Sequence, residues 1–498
     1  MLTGVLLTAA IFLLPRILLI QKTGAESSVD HWYWKSYVEA LRFDWKFPPA
    51  LSKYLLDAGQ WYPPLYPIFL ALLPKRVFEG YTRYIAAFID LARLALLMAA
   101  IWRLSEGSHW AVFAGGLVYS TTFILITYNT QLNSRGFGAI LLDLAALLYL
   151  GMMSPEESRW IYISVVLSCA LILLMHKMTT QLLWFLCLAA AIVYGDWMLA
   201  ALIPFSAAMA LLISGGFYWK VARAHWDIVA YWNRNWQWLQ AHPLMESPIY
   251  GDPGYSSPGK FHQRGLAGIY KHLSYLIMYA PGVWLLALPL AAAGCRQLHG
   301  NPDLAYIAVW VGVTASFAVI TTFVPVMKCL GSGYFYLYNA AFPAALLWGL
   351  LAADPKGPGG YYYAGLAMVL MLSAVGYVMY LRRQSRAQAE AEDKLPEVIQ
   401  YLATAPKGVF FCYPLQMAEI AAYKTHHSVL WGGHGYGFTK LDPIFPRLLK
   451  PIREVASEYD LRYFLTIEGW APQKFIDDLP AEKVLSFGKY RLYLLCKP

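Results

Sequence analysis

Charge is what this sequence has least of. Charged residues fill only 14% of the 498 positions, against 58% hydrophobic ones, and acids (30) are fewer than Lys and Arg (39). So few charges cannot clothe a soluble globule of this length, which excludes that class. Cysteine is sparse too. Cys169, Cys187, Cys295, Cys329, Cys412 and Cys496 show no CxxC spacing, so neither a zinc site nor a disulfide framework is indicated, with Cys412 and Cys496 the one candidate pair. No fixed-period repeat and no pseudo-symmetric halves are present, which counts against internally duplicated transporter folds. The first apolar run lacks a basic flank and a small-residue cleavage site, so it is expected to be a retained helix rather than a removed signal peptide.

What is present is a series of long apolar runs. They cover Leu2 to Leu19, Thr82 to Trp102, Trp110 to Tyr128, Phe137 to Met153, Ile161 to Met175, Thr179 to Tyr194 and Trp197 to Phe217, and later Leu273 to Ala293, Leu304 to Val324, Phe335 to Ala353 and Tyr361 to Leu381. Each suits a helix crossing roughly 30 Å of hydrocarbon, so the expected fold is an α-helical multi-pass bundle of about eleven spans. Three parts follow: a transmembrane domain over residues 1–381, a charged helical connector at 382–394, and an α/β domain at 395–498. Within the last, GVFFCY and SVLWGG read as short buried strands, EVASEYDLRYFLTIEGW as a helix running into a strand, and SFGKYRLYLLCK as a hairpin.

The two longest loops, about Gln21 to Tyr81 and Tyr218 to His272, fall on one side of such a bundle together with the C-terminal domain. With the N-terminus inside, short inner loops hold Arg103, Arg159, Arg296 and Lys356 and short outer ones Arg135, Lys177 and Lys328, a slight positive-inside bias that places the long loops outside a plasma membrane. The net charge of +9 suits anionic headgroups or a phosphorylated lipid equally well. The first long loop contains SVDHWYWKSYVEALRF, with Val29, Trp32, Tyr33, Tyr37, Val38 and Leu41 at helical spacing, and the second has the Trp-rich WKVARAHWDIVAYWNRNWQWLQAH; both read as amphipathic interfacial helices.

Asp30 opens the first of these helices, beside His31 and four residues after Glu26. A carboxylate there suits proton abstraction from a hydroxyl, and equally suits helix capping. Downstream come Trp61-Tyr62-Pro63-Pro64-Leu65-Tyr66-Pro67 and IFLALLP, an apolar helix too short to span. An acid just past the first span, a surface helix, and YPPLYP before the second span resemble the GT-C superfamily of membrane glycosyltransferases, which includes protein O-mannosyltransferases, oligosaccharyltransferases and enzymes that decorate lipid A. The resemblance implies a polyprenyl-phosphate-linked sugar as donor, a glycan, lipid or protein as acceptor, membrane lipids but no nucleic acid as partners, and Asp30 as the catalytic or metal-binding carboxylate. Many relatives carry two adjacent acids. Here the second place is His31, with Glu26 as the alternative acid, so no metal ligand is assigned and divalent-metal dependence stays open.

Further basic residues stand at span ends. LLLMHKMTTQ holds His176, Lys177 and Gln181, NTQLNSRGFG holds Arg135, and VPVMKCLGSGYFYLYN holds Lys328. Each alone suits an interfacial anchor. Together on one face they suit a clamp for a lipid phosphate. His31, Tyr334 and Tyr336 are candidates for sugar or acceptor binding, the tyrosines suiting an aromatic belt equally well. His426, His427 and His434 lack an acidic partner or regular spacing and are not assigned to a metal. The C-terminal domain is expected to cover the site or hold the acceptor.

The expected activity is inverting transfer of a sugar from polyprenyl phosphate to a hydroxyl. Its rivals are an oligosaccharide ligase or polymerase with a lipid-pyrophosphate donor, and a lipid or solute transporter, for which Asp90 and Asp143 inside spans would count. The topology is testable first. In a background freed of native cysteines, residues replaced by cysteine near Lys53 and near Lys440 are both expected to react with an impermeant thiol reagent in intact cells. Labelling of one alone would overturn the eleven-span arrangement, and labelling of neither would invert it.

Overall fold

The computed structural model describes residues 2–22, 29–56, 59–152, 158–235, 265–287, 301–353, 360–390, 394–413, 417–432, 440, 442, 444, 449–469, 471 and 473–496. In chain order its helices are α1 Leu2–Lys22, α2 Val29–Asp44, α3 Leu65–Leu72, α4 Lys75–Tyr81, α5 Ile85–Leu104, α6 His109–Ser120, α7 Phe123–Tyr128, α8 Arg135–Met152, α9 Ser158–Leu173, α10 Lys177–Tyr194 and α11 Trp197–Ile213. There follow α12 Phe217–Asn235, α13 Gly265–Tyr279, α14 Pro281–Leu285, α15 Pro302–Phe323, α16 Leu337–Ala353, α17 Gly360–Glu390, α18 Leu395–Thr404, α19 Met417–Lys424, α20 Ile452–Glu458 and α21 Gln473–Asp477. The strands are β1 Val409–Tyr413, β2 Ser428–Val429, β3 Leu461–Ile467, β4 Ala481–Phe487 and β5 Tyr490–Leu495.

Two compact units are formed, each discontinuous in sequence. The first gathers Met1–Gly24, Glu79–Trp219 and His272–Arg383; the second gathers Ala25–Phe78, Lys220–Lys271 and Gln384–Pro498. Both long loops of the sequence thus belong to the same unit as the C-terminal sheet.

The first unit is helical. By length and composition five helical segments among the described residues suffice to cross a membrane: Gly4–Gln21, Lys75–Leu104, Lys177–Tyr194, Pro302–Phe323 and Gly333–Ala353. Helix α16 is the hub, buried along its length. It meets α6 through small residues: a Cβ on Gly115 would lie 2.7 Å from the Ala345 carbonyl, and one on Gly349 2.9 Å from the Ala111 carbonyl. Small residues let helix backbones approach where lipid supplies no hydrophobic drive. The run Trp110 to Tyr128, expected as one span, is two helices. The hydroxyls of Ser120, Thr121 and Thr122 turn back onto the carbonyls of Gly116, Leu117 and Val118 at 2.7–2.8 Å, which competes with the helix ladder and ends it. The last span instead continues, since α17 carries on to Glu390 into the expected connector.

Charges inside this unit are paired. Arg93 forms a fully buried ion pair with Asp143 and donates to the Tyr338 carbonyl at 3.0 Å. Tyr338 Oη donates to Asp90 at 2.8 Å, and Arg16 donates to the carbonyls of Phe12 and Ser120 at 2.7 and 3.0 Å. These contacts tie α1 to α6, and α5 to α8 and α16.

The second unit holds a five-stranded sheet of order β2-β1-β3-β5-β4. Strands β2, β1 and β3 run parallel, and β5 lies antiparallel to both β3 and β4. VFFCY and LRYFLTI are near-continuous apolar runs because inner parallel strands are covered on both faces, and the expected hairpin is β4–β5. His427 is buried, accepting from Gly408 N–H and bonded through Nε2 to the Leu402 carbonyl at 2.7 Å, while His426 bonds the Ala405 carbonyl. Both are thus used on backbone. His434 lies outside the described residues. Cys412, buried in β1, and Cys496, exposed beyond β5, are free thiols.

Breaking the buried pair should be costly. Arg93→Met strands Asp143 among helices, a loss of about 3–5 kcal/mol, whereas Arg93→Met with Asp143→Leu removes both charges and should recover most of it. Thermal unfolding in detergent reads the difference. Equal melting of the single and double variants would show that the pair does not hold these helices.

Candidate functional site

In the second unit, Asp30 lies in the first turn of α2 and is partly buried. It is thus inside the helix rather than before it, where a carboxylate favours the positive end of the helix dipole. The YPPLYP segment is folded onto this helix. Trp34 packs edge-on against Tyr62 and Tyr66, with centroids 4.7 and 5.0 Å away, and Tyr33 Oη donates to Gln60 at 2.9 Å. The Tyr66 hydroxyl is pushed well above its ordinary pKa by burial and further by the charge of Asp30, which places that carboxylate within electrostatic reach of the motif. Arg42, at the far end of α2, donates to the Leu70 and Ala71 carbonyls at 3.2 and 3.1 Å, capping α3.

His31 is buried edge-on against Trp32 at 4.9 Å. Burial first, then the charges of Lys35 and Lys424, lower its pKa to about 4, so it is neutral at pH 7. Glu26 lies outside the described residues. Among those described, no three His, Cys, Asp or Glu side chains gather where a metal ion would be held.

In the first unit the expected cations come together through two helix starts. Helix α8 begins at Arg135 and α10 at Lys177, and the two first turns touch at Gly138, where a Cβ would lie 2.7 Å from Thr179 Oγ1 and 2.9 Å from His176 Cβ. His176 is the N-cap of α10, its Nδ1 accepting from Thr179 N–H at 3.4 Å and lying 2.9 Å from Thr179 Oγ1. That employs Nδ1 within the helix. Arg135 has its guanidinium over the rings of Tyr128 and Phe335, at 4.7 and 4.3 Å, and its own N–H is capped by Asn133 at 3.0 Å. Unsatisfied N–H groups and the dipole make helix starts suited to anions. Two of them, carrying an Arg and a Lys, reinforce one another.

The Lys328 loop joins the same end. Lys328 lies in a 3-10 turn, Pro325–Leu330, half-buried, and desolvation lowers its pKa. Tyr336 Oη bonds to Gln181 of α10 at 2.6 Å and to the Leu330 carbonyl at 2.8 Å, and Gly331 lies against Met178. Tyr336 is fully buried with its hydroxyl so engaged, and its ring packs on Phe317 at 4.6 Å. Its hydroxyl thereby fastens the loop to α10. Tyr334 stacks on Tyr279 at 5.0 Å and remains partly accessible. Gly138, Tyr128 and Phe335 were not anticipated from sequence, although the second glycine of SRGFG is a signal of close approach.

No protein-family pattern and no curated protein sequence matches the chain. Solved structures do. ArnT from Cupriavidus metallidurans bound to undecaprenyl phosphate is similar with a TM-score of 0.54 and 11% identity, covering 98% of this chain and 97% of that one. The same protein in the apo state gives 0.51 and 13%, over 92% of each chain. The Archaeoglobus fulgidus oligosaccharyltransferase in complex with Zn and sulfate gives 0.53 and 11%, over 93% of this chain and 68% of that one. The chain therefore has the fold of the GT-C membrane glycosyltransferases that its sequence resembles.

Proposed function

We propose that this protein is an inverting glycosyltransferase that moves a sugar from a polyprenyl phosphate to an acceptor hydroxyl at the outer face of the membrane. The observation that carries the reading is the paired start of α8 and α10 at Gly138, which gathers Arg135, His176 and Lys177 on a fold that in ArnT accompanies bound undecaprenyl phosphate. Asp30 supplies the other half of the chemistry. Its carboxylate takes the acceptor hydroxyl proton, the oxygen forms a bond to the anomeric carbon, and the bond from that carbon to the phosphate oxygen breaks. The phosphate leaves with the electron pair and the anomeric configuration inverts. A phosphate departs without a general acid and needs only cations for its growing charge, the role assigned to Arg135, Lys177, Lys328 and the His176 imidazole.

Asp30→Asn keeps the shape of the side chain, and the helix-dipole contribution it loses is about 0.3–2 kcal/mol. Expression should be unchanged and melting lowered only slightly, while transfer from a polyprenyl-phosphate sugar falls by about two to four orders of magnitude, the usual worth of a positioned base. Near-normal transfer with Glu26→Gln inactive would move the assignment upstream; activity in both variants would remove it from this loop.

Arg135→Ala and Lys177→Ala should raise donor KM and also lower kcat, because phosphate charge grows as the bond breaks. Lys328→Ala should do the same more mildly. Wild-type kinetics in all three would make these residues interfacial anchors. Mass spectrometry of lipid co-purifying with the wild-type protein separates a monophosphate donor from a pyrophosphate one.

A further inference from the structure

We infer that the C-terminal domain sets the position of Asp30, with Lys53 as the positioning residue that joins the two; this rests on the catalytic role proposed for Asp30. Helix α2 lies on a long loop and needs contacts to fix its rotation. They come from α19. Trp32 packs on Tyr423 at 5.2 Å, Lys424 Nζ stands 4.7 Å over the Trp32 ring, and Tyr423 Oη donates to Glu39 at 2.7 Å.

Helix α19 is in turn held by the first loop. Lys53 Nζ donates to the carbonyls of Ala422 and Thr425, both at 2.7 Å, capping the end of α19 with a cation where the helix dipole is negative. The backbone around Lys53 extends the sheet at the β2 edge. Val429 N–H donates to the Lys53 carbonyl at 2.7 Å, Leu55 N–H to Val429 at 3.0 Å, and Leu56 N–H to Leu430 at 3.1 Å. Between them Tyr54 Oη donates to the buried Glu419 carboxylate of α19. Gly432 permits this approach, since a Cβ there would lie 2.4 Å from both Tyr54 Cε1 and Glu419 Oε1. The first loop and the domain therefore grip each other at two places, the α2–α19 face and the added strand, and Lys53 links them through the end of α19. A general base must sit within hydrogen-bond reach of its proton, and a misplacement of about 1 Å can cost a hundredfold.

The test uses the full-length protein in detergent with Lys53→Met, Lys53→Arg and, should the Met variant fail to fold, Tyr423→Phe, which drops only the Glu39 bond. Hydrogen exchange is read over Val29–Asp44 and Met417–Lys424, and kcat and donor KM are measured with a polyprenyl-phosphate sugar. Lys53→Met or its substitute should speed exchange in both helices and lower kcat about ten- to a hundredfold at unchanged donor KM. Lys53→Arg should restore both readouts. Faster exchange confined to Met417–Lys424, or kcat unchanged in a protein with loosened α19, would overturn the inference. A wild-type protein inactive with every such donor would sink the catalytic reading alone, and exchange in α2 would still decide whether the domain holds that helix.

Discussion

Two helices begin side by side in the first unit because Gly138 has no side chain. With a methyl group there, Thr179 Oγ1 and His176 Cβ would lie under 3 Å away, and α8 and α10 would have to part. The charge arrangement of the whole region depends on that approach. Each helix start carries unsatisfied N–H groups and a partial positive charge, and Arg135 and Lys177 are the first residues of the two helices. The aromatic pair Tyr128 and Phe335 holds the Arg135 guanidinium in place, while the Tyr336–Gln181 bond fastens the Lys328 loop to α10.

Most apolar runs of the sequence fall in helices because burial in hydrocarbon demands that a segment satisfy its own backbone hydrogen bonds. The expected span Leu273 to Ala293 is nevertheless broken, α13 ending at Tyr279 and α14 starting at Pro281, since proline supplies no N–H to continue a helix. The same reasoning could not find the break at Thr121 and Thr122, since hydroxyl back-bonding leaves no mark on hydropathy. The basic residues at span ends were legible, because charge beside an apolar run stands out. Whether such a residue works or merely anchors was not, and Tyr336 shows why: its position in YFYLY suited a sugar platform, yet its hydroxyl is used on Gln181. The joining of Lys53–Leu56 to the β2 edge was also invisible, for it pairs segments that lie far apart in sequence and neither has a local pattern naming the other. Glu26 lies outside the described residues, so the alternative acid keeps its standing from sequence alone.

Buried charge was the feature that favoured a transporter. Asp90 and Asp143 are indeed buried, but Asp143 closes an ion pair with Arg93 and Asp90 accepts from Tyr338. A carrier needs charges that exchange partners as a substrate passes. Side chains that link α5, α8 and α16 to one another serve instead to fix helix positions, which suits a rigid frame.

The proposed reaction also explains why its base and its cations stand on different parts of the chain. A carboxylate beside Arg and Lys is held ionised at a lowered pKa and becomes a weaker proton acceptor. Inversion adds a geometric demand, since nucleophile and leaving group must occupy opposite sides of the anomeric carbon. A single helix carrying both acid and cations would meet neither requirement. The proposed base belongs to the second unit and the proposed cations to the first.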